Sequence, residues 1–282
     1  MIDDLIIGNP GKEVTFKAVG RGTFWYDFID GIATPSYRNV NVTSVGRNGG
    51  YTPKQLYGQR VVSINGGMRE CPDFMQARQQ LIDALSFDED VPLKILRKDG
   101  RVFQLMGKFD YPQMPIEEFF MNEFQLIFLS TDTFFSDVTS GEENKITVSP
   151  SVSGGWKIYP DGWKIYPEGW KIYPGGDGQN AHNSGTTDAN VIIEIHGPAQ
   201  NPTVINNTTG EQIKVNITIG SDDVILIDTA LKSTTLNGGN INALVEAGST
   251  YFSLRKGDNA ISYRSDTSGY ADVKWYTQYI GI

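Results

Sequence analysis

VPLKILRKDGRVFQLM, residues 91–106, decides the fold class. Apolar side chains alternate with polar ones on both sides of its centre, as a strand requires when one face meets a core and the other meets water. Lys98-Asp99-Gly100 divides the two runs, and Asp-Gly supplies the positive φ that tight hairpin turns demand. A β-hairpin is therefore predicted from Pro92–Arg97 to Val102–Met106. Working outward, Val14–Val19, Val40–Val45 and Gln59–Ile64 carry β-branched or alternating apolar positions and are expected to be strands. Arg47-Asn48-Gly49-Gly50 and Asn65-Gly66-Gly67 read as turns between them. Glu123–Phe135 reads as one long apolar strand. A single helix interrupts the pattern at Pro72–Leu85, where Phe74, Ala77, Leu81, Ile82 and Leu85 fall on one face. Pro72 suits a first helical position and Asp73 the positive end of the helix dipole.

The totals agree with a turn-rich β protein. Its 282 residues suffice for two domains, and 31 Gly, 13 Pro and 11% aromatics favour strands and turns over helices. A formal charge of −9 argues against general nucleic-acid binding, which depends on Lys and Arg neutralising phosphates. The lone cysteine, Cys71, allows neither an internal disulfide nor a Cys-based zinc site, and is expected to be a small buried thiol. MIDDLIIG at the start resembles neither a signal peptide nor an anchor, and no apolar run approaches the ~20 residues of a membrane helix. A soluble protein made in the cytoplasm is expected.

Composition changes between Asp137 and Asn190, where Gly, Ser, Asn and Pro dominate. At the centre of this stretch GWKIYPD, GWKIYPE and GWKIYPG follow one another over Gly155–Gly175. The period is seven, yet Gly and Pro in each copy forbid a coiled coil. Each copy reads instead as a short extended W-K-I-Y segment closed by a Pro-x-Gly turn. Trp156, Tyr159, Trp163, Tyr166, Trp170 and Tyr173 are the candidate docking or ligand contacts, because Trp and Tyr dominate interface hot spots. The preferred reading is structural, an arm or linker whose Trp and Ile residues pack on neighbouring sheets or subunits. GGDGQNAHNSGTTDAN, which follows, reads as flexible loop. Beyond it Val191–Ile195, Thr203–Asn206, Ile213–Ile219, Asp223–Asp228, Ser233–Leu236, Tyr251–Leu254, Asn259–Tyr263 and Ala271–Tyr279 are candidate strands. Short strands at such spacing, without a helix, indicate a sandwich or barrel.

No catalytic motif emerges. His182 falls in the Gly/Asn-rich loop and His196 ends a strand before Gly197-Pro198; neither has a carboxylate at metal-ligand sequence spacing. No G-x-S-x-G elbow or phosphate loop occurs. Glu117-Glu118, Glu142-Glu143, Asp88-Glu89-Asp90 and Asp222-Asp223 read as solvated charge and not as a glycosidase pair. The expectation is no enzyme, with no catalytic, cofactor-binding or metal residues.

The order of parts resembles the distal tail protein (Dit) family of siphophages. RVVSINGGMRECPDFMQARQQLIDAL, Arg60–Leu85, has the family's strand, Gly turn and helix, and VPLKILRKDGRVFQLMGKFDYP resembles the hairpin placed after it. EFQLIFLSTDTFF resembles the closing strand, although Asp132 is followed by Thr133 where the family commonly has Pro. In the second half HGPAQNPTVINNTTGEQIKVNITIGSDDVILIDTALKSTTLNGGNI and LRKGDNAISYRSDTSGYADVKWYTQYIGI resemble the family's C-terminal domain.

The resemblance implies a mainly β chain in three parts. Residues 1–137 would be a β-barrel-like, ring-forming, tail-tube-like domain with one α-helix, 138–190 a linker or arm carrying the repeat, and 191–282 a galectin-like β-sandwich. It further implies a homohexameric ring joining tail tube protein to a tail hub or tail-associated lysin-like protein, for which exposed strand edges such as those of the Pro92–Met106 hairpin are candidate pairing surfaces between subunits. The sandwich would dock receptor-binding proteins, and DNA would pass through the lumen without specific binding. Such a protein resides at the virion's tail tip and does not insert into membranes. The alternative function is a carbohydrate-binding adhesin using the aromatic repeat or the galectin-like domain; a tail-attached cell-wall hydrolase is third.

Overall fold

The computed structural model describes residues 2–18, 21–43, 50–69, 74–86, 88–110, 121–150 and 178–282. Two compact units result: Met1–Glu142 with Gln278–Ile282, and Glu143–Thr277. No helix among the described residues is long and apolar enough to cross a membrane.

The first unit contains β1 (Ile2–Ile7), β2 (Val14–Ala18), β3 (Phe24–Asp30), β4 (Tyr37–Thr43), β5 (Gly50–Tyr57) and β6 (Arg60–Arg69). The helix α1 (Phe74–Leu85) follows, then β7 (Val91–Arg97), β8 (Val102–Phe109), β9 (Met121–Ser130) and β10 (Phe135–Asp137). The pairing order β8-β7-β1-β2-β3-β6-β9 closes on itself, because the far end of β8 also pairs with β9. This is the barrel anticipated from the sequence. Inward positions alternate as a barrel requires: Leu93 and Ile95, Phe103 and Leu105, Leu126 and Phe128, Val62 and Ile64 all lie in one core. Each buried Leu, Ile or Phe contributes ~1.5–3 kcal/mol of transfer free energy. Ala77, Leu81, Ala84 and Leu85 of α1 join that core, while Met75 faces water.

The predicted hairpin is present, with Leu93 opposite Leu105 and Ile95 opposite Phe103. Its edges are not free for pairing between subunits, as an isolated reading of the hairpin suggests. β7 is also held by β1, and β8 by both β10 and β9, so closure consumes them. Gly107 makes that closure possible, since a Cβ there would lie 2.3 Å from the Leu129 carbonyl oxygen.

Two other expectations change. Asn65-Gly66-Gly67 is not a turn: β6 runs through it to Arg69, paired with β9 throughout. The reason is close approach, because a Cβ on Gly66 would sit 2.1 Å from the Trp25 carbonyl oxygen beside the irregularity between Tyr26 and Phe28. Glu123–Phe135 is not one strand either. β9 ends at Ser130, whose hydroxyl donates to the Asp132 carbonyl, and β10 begins at Phe135 on a different partner.

The second unit holds β11 (Asn144–Val148), β12 (Gln179–Asn183), β13 (Ala189–His196), β14 (Ala199–Gln200), β15 (Thr203–Asn206), β16 (Glu211–Lys214) and β17 (Thr218–Ile219). It continues with β18 (Val224–Asp228), β19 (Ser233–Leu236), β20 (Gly239–Asn240), β21 (Ser253–Leu254), β22 (Gly257–Arg264) and β23 (Tyr270–Trp275). One sheet runs β11-β23-β13-β18-β19-β20 with β21 on β13; the other runs β12-β22-β15-β16. Val191, Ile193, Ile195, Ile227 and Val273 of the first sheet share a core with Ala181, Val204, Ile213 and Ile261 of the second. This is a two-sheet sandwich, as expected.

The stretch 138–190 is not all linker among its described residues, since β11 and β12 are strands of this sandwich. The loop expected around His182 is likewise partly strand: polar Gln179–Asn183 pairs fully along β22. Ala271–Tyr279 divides in two, and its end, β24 (Gln278–Tyr279), pairs with β10 in the first unit.

Candidate functional site

The second unit gathers its charged groups on the outer face of the large sheet. Alternation along β13 sends Val191, Ile193 and Ile195 inward and turns Glu194 and His196 outward. On β23 Asp272 lies opposite Glu194 and Tyr270 opposite His196. Two carboxylates thus face each other across a strand pair, which is unfavourable unless cations intervene. Lys274 Nζ lies 2.6 Å from Glu194 Oε1, and Lys145 Nζ of β11 lies 2.7 Å from Asp272 Oδ2. Thr147 Oγ1 donates to Asp272 Oδ1 at 2.6 Å.

Burial pushes the Asp272 carboxyl up, but hydrogen bonds from Lys145 and Thr147 and the Lys145 charge outweigh it. The group therefore sits below the usual carboxylate range. The His196 ring stacks on Tyr270, 4.6 Å between centroids and 17° from parallel. Its Nε2 has no hydrogen-bond partner and lies 3.6 Å from Asp272 Oδ2 and 3.8 Å from Glu194 Oε2. Glu194, His196 and Asp272 form the one group among the described residues whose atoms are disposed to hold a metal ion.

His182 is the second place where tertiary structure supplies what spacing did not. It lies opposite Asp258 on β22, with Nδ1 2.7 Å from Asp258 Oδ1. Asn180 donates to the same oxygen at 3.0 Å, and these bonds, Asn180 first, hold the Asp258 carboxyl below its ordinary value. No serine, threonine or cysteine is hydrogen-bonded to either imidazole among the described residues. Neither histidine is thus set in a nucleophile–base arrangement.

The carboxylate runs do not assemble into an acid–base pair. Asp88, Glu89 and Asp90 are exposed, and Asp223 is used in a turn, accepting from Gly220 N at 2.8 Å and Asn237 Nδ2 at 2.8 Å. Cys71, Glu117-Glu118 and the candidate contacts Trp156, Tyr159, Trp163, Tyr166, Trp170 and Tyr173 lie outside the described residues.

The first unit has an open cavity of about 560 Å³ whose lining mixes apolar Ile2, Ile29, Ile32 and Ile282 with charged Asp3, Arg21 and Lys98. Separately from that cavity, Arg60 of the same unit has no accessible surface. Arg60 donates from Nε to the Thr133 carbonyl at 2.9 Å, from Nη1 to the Gly31 carbonyl at 2.6 Å and from Nη2 to the Ile280 carbonyl. Its guanidinium lies over the Phe135 ring, 4.6 Å from the centroid. All acceptors are backbone, so this is a clamp on three chain segments and not a ligand site.

Residues 184–279 match the family described as siphovirus-type tail component, C-terminal domain. No curated protein matches the sequence. Among solved structures, the Dit protein of phage SPP1 superposes with a TM-score of 0.61 at 12% identity, over 89% of this chain and 93% of that one. That protein is described as a paradigm of the hub adsorption apparatus in phages infecting Gram-positive bacteria. A chain of the phage P2 baseplate in its activated conformation with Ca gives 0.55 at 12% identity, with both chains covered in full. The phage p2 baseplate with Sr gives 0.52 at 12% identity over 96% of each. Residues 184–279 are therefore similar to the siphovirus-type tail component C-terminal domain, on a chain that shares its fold with a siphophage distal tail protein.

Proposed function

We propose that this protein is a structural component of a siphophage tail tip, in which six copies form a ring through their first units. The ring joins the tail tube to the hub and its tail-associated lysin-like protein, with a lumen through which DNA passes. The second unit docks receptor-binding proteins, and Trp156, Tyr159, Trp163, Tyr166, Trp170 and Tyr173 supply aromatic contacts for that docking. The protein is made in the host cytoplasm and resides in the virion. The observation that carries this reading is the family match of the second unit on a chain whose fold follows a distal tail protein over nearly its whole length.

The first unit offers a physical route to self-association. β4 and β5 pair only with each other among the described residues, leaving an outer backbone edge on each. A two-stranded ribbon is marginal by itself, and unpaired edges favour strand addition from another chain. At its base Tyr37 and Tyr57 are half exposed, with rings 5.4 Å apart, and Tyr57 meets Phe134 edge-on at 5.3 Å. A ring needs two unlike patches that close on rotation. The two edges of this ribbon provide them.

Electron microscopy of the purified protein, alone and mixed with tail tube protein, tests the proposal. Six-fold rings with outward lobes are expected. Monomers under both conditions, together with glycan binding that is lost when Trp156, Trp163 and Trp170 become Ala, would replace it with an adhesin.

A further inference from the structure

We propose that Glu194, His196 and Asp272 form a site for a divalent transition-metal ion, for which zinc is the natural probe. The three ligand-bearing atoms lie within 4.8 Å of one another on the outer face of the sandwich. His196 Nε2 is shielded from solvent and makes no hydrogen bond, yet it points between two carboxylates. Its separations from their oxygens, 3.6 and 3.8 Å, are too long for hydrogen bonds. They approach the ~3.4 Å between neighbouring ligand atoms of a tetrahedral zinc with bonds of ~2.0–2.2 Å. A small inward movement of each side chain completes three bonds.

The surroundings suit that role. A dication neutralises the opposed Glu194 and Asp272, a repulsion that the lysines relieve only from the flanks. Lys274 holds Glu194 by Oε1, which leaves Oε2, the oxygen nearer His196, for the metal. Thr147 fixes Asp272 by Oδ1, and Tyr270 fixes the imidazole plane by stacking. Such outer contacts orient ligands at known metal centres. Lys145 shares Asp272 Oδ2, but its side chain is 48% exposed and can swing into water as the cation enters. The His196 and Glu194 side chains are each about a quarter exposed, so the cluster lies close to the surface although Nε2 itself is covered. One imidazole with two carboxylates suits zinc and its divalent neighbours better than soft thiophilic ions. The ion would tie β13 to β23, neighbouring strands of the large sheet.

The full-length protein, stripped with chelator, is titrated with Zn²⁺ by calorimetry, and Co²⁺ is added separately to record its visible spectrum. One site per chain is expected, weakened at least ~10-fold in His196→Ala and in Glu194→Gln, the loss typical of damaged metal centres. Glu194→Gln is nearly isosteric and keeps the comparison valid if His196→Ala misfolds; circular dichroism monitors both. His182→Ala should bind as the unaltered protein does. Absence of zinc binding, equal binding by Glu194→Gln, or loss confined to His182→Ala would each overturn the proposal and leave an ion-pair ladder.

Discussion

Replacing Arg60 by Met should destabilise the first unit by about 4 kcal/mol, a figure that follows from three charged hydrogen bonds and one buried charge. Each bond from the guanidinium to a buried carbonyl contributes ~1.5–3 kcal/mol, so the set of three contributes roughly 5–9. Against this stands the cost of burying a cation with no carboxylate beside it. Burial pushes the Arg60 pKa well down from its ordinary value, to about 10. At ~1.4 kcal/mol per pH unit that offsets roughly 3 kcal/mol. The remainder is about 2–6 kcal/mol, and methionine keeps the apolar stem while orphaning the carbonyls of Gly31, Thr133 and Ile280.

The assay is native-state hydrogen exchange, because two units need not unfold together and a single melting temperature would mix them. Amides of β3, β10 and Gln278–Ile282 should lose protection in Arg60→Met, while those of β13 and β23 keep it. Arg60→Lys should recover only part of the loss, since one ammonium cannot reproduce a fork that reaches three acceptors. A change below ~0.5 kcal/mol in the first unit, the usual range for inert surface substitutions, would refute the reasoning.

Two further outcomes are expected. Asn259, fully buried, donates to the carbonyls of Arg255 at 2.8 Å and Gly257 at 3.0 Å and accepts from Arg255 N at 2.9 Å. Asn259→Ala orphans these groups and should cost the second unit about 2–4 kcal/mol in urea unfolding monitored by exchange; an effect under ~1 kcal/mol would contradict that account. Hydrogen bonds from Gly220 N and Asn237 lower the Asp223 carboxyl below its ordinary value. The unfolded chain then binds the proton more readily, so stability from this group is present above the unfolded pKa of ~4 and is lost as pH falls through the folded value. Asp223→Asn should therefore flatten the acid limb of the second unit's stability profile, and an unchanged limb would count against the turn's role.

Much of the local structure was legible in the sequence. Alternation through residues 91–106 marked β7 and β8, and Thr203–Asn206 and Ser233–Leu236 were placed to the residue. The single helix was found from its apolar face, and the sandwich from short strands at turn spacing. Several strands were missed for a common reason. β3 begins FWY with all three side chains buried, so it shows no alternation, and β12 is polar apart from Ala181, its place set by pairing and side-chain bonds to β22. The candidate metal cluster was missed: Glu194-x-His196 puts two ligand types on one face of a strand, but that pair was not read as ligand spacing. Its third member, Asp272, is distant in sequence and arrives only through the β13–β23 register.

The sequence by itself determined many of the extended segments, where the chain turns at Asp99-Gly100, and that the protein is mainly β. These are properties of neighbours along the chain, governed by side-chain alternation and by the φ each residue tolerates. Tertiary structure decided that glycines 66 and 107 serve close packing and not turning, that closure removes the hairpin's edges, and that the last strand returns to Arg60. It also decided which face His196 shares, and with whom. Each of these depends on atoms brought together from distant positions, and no local pattern encodes the carbonyl oxygen that will lie across a strand.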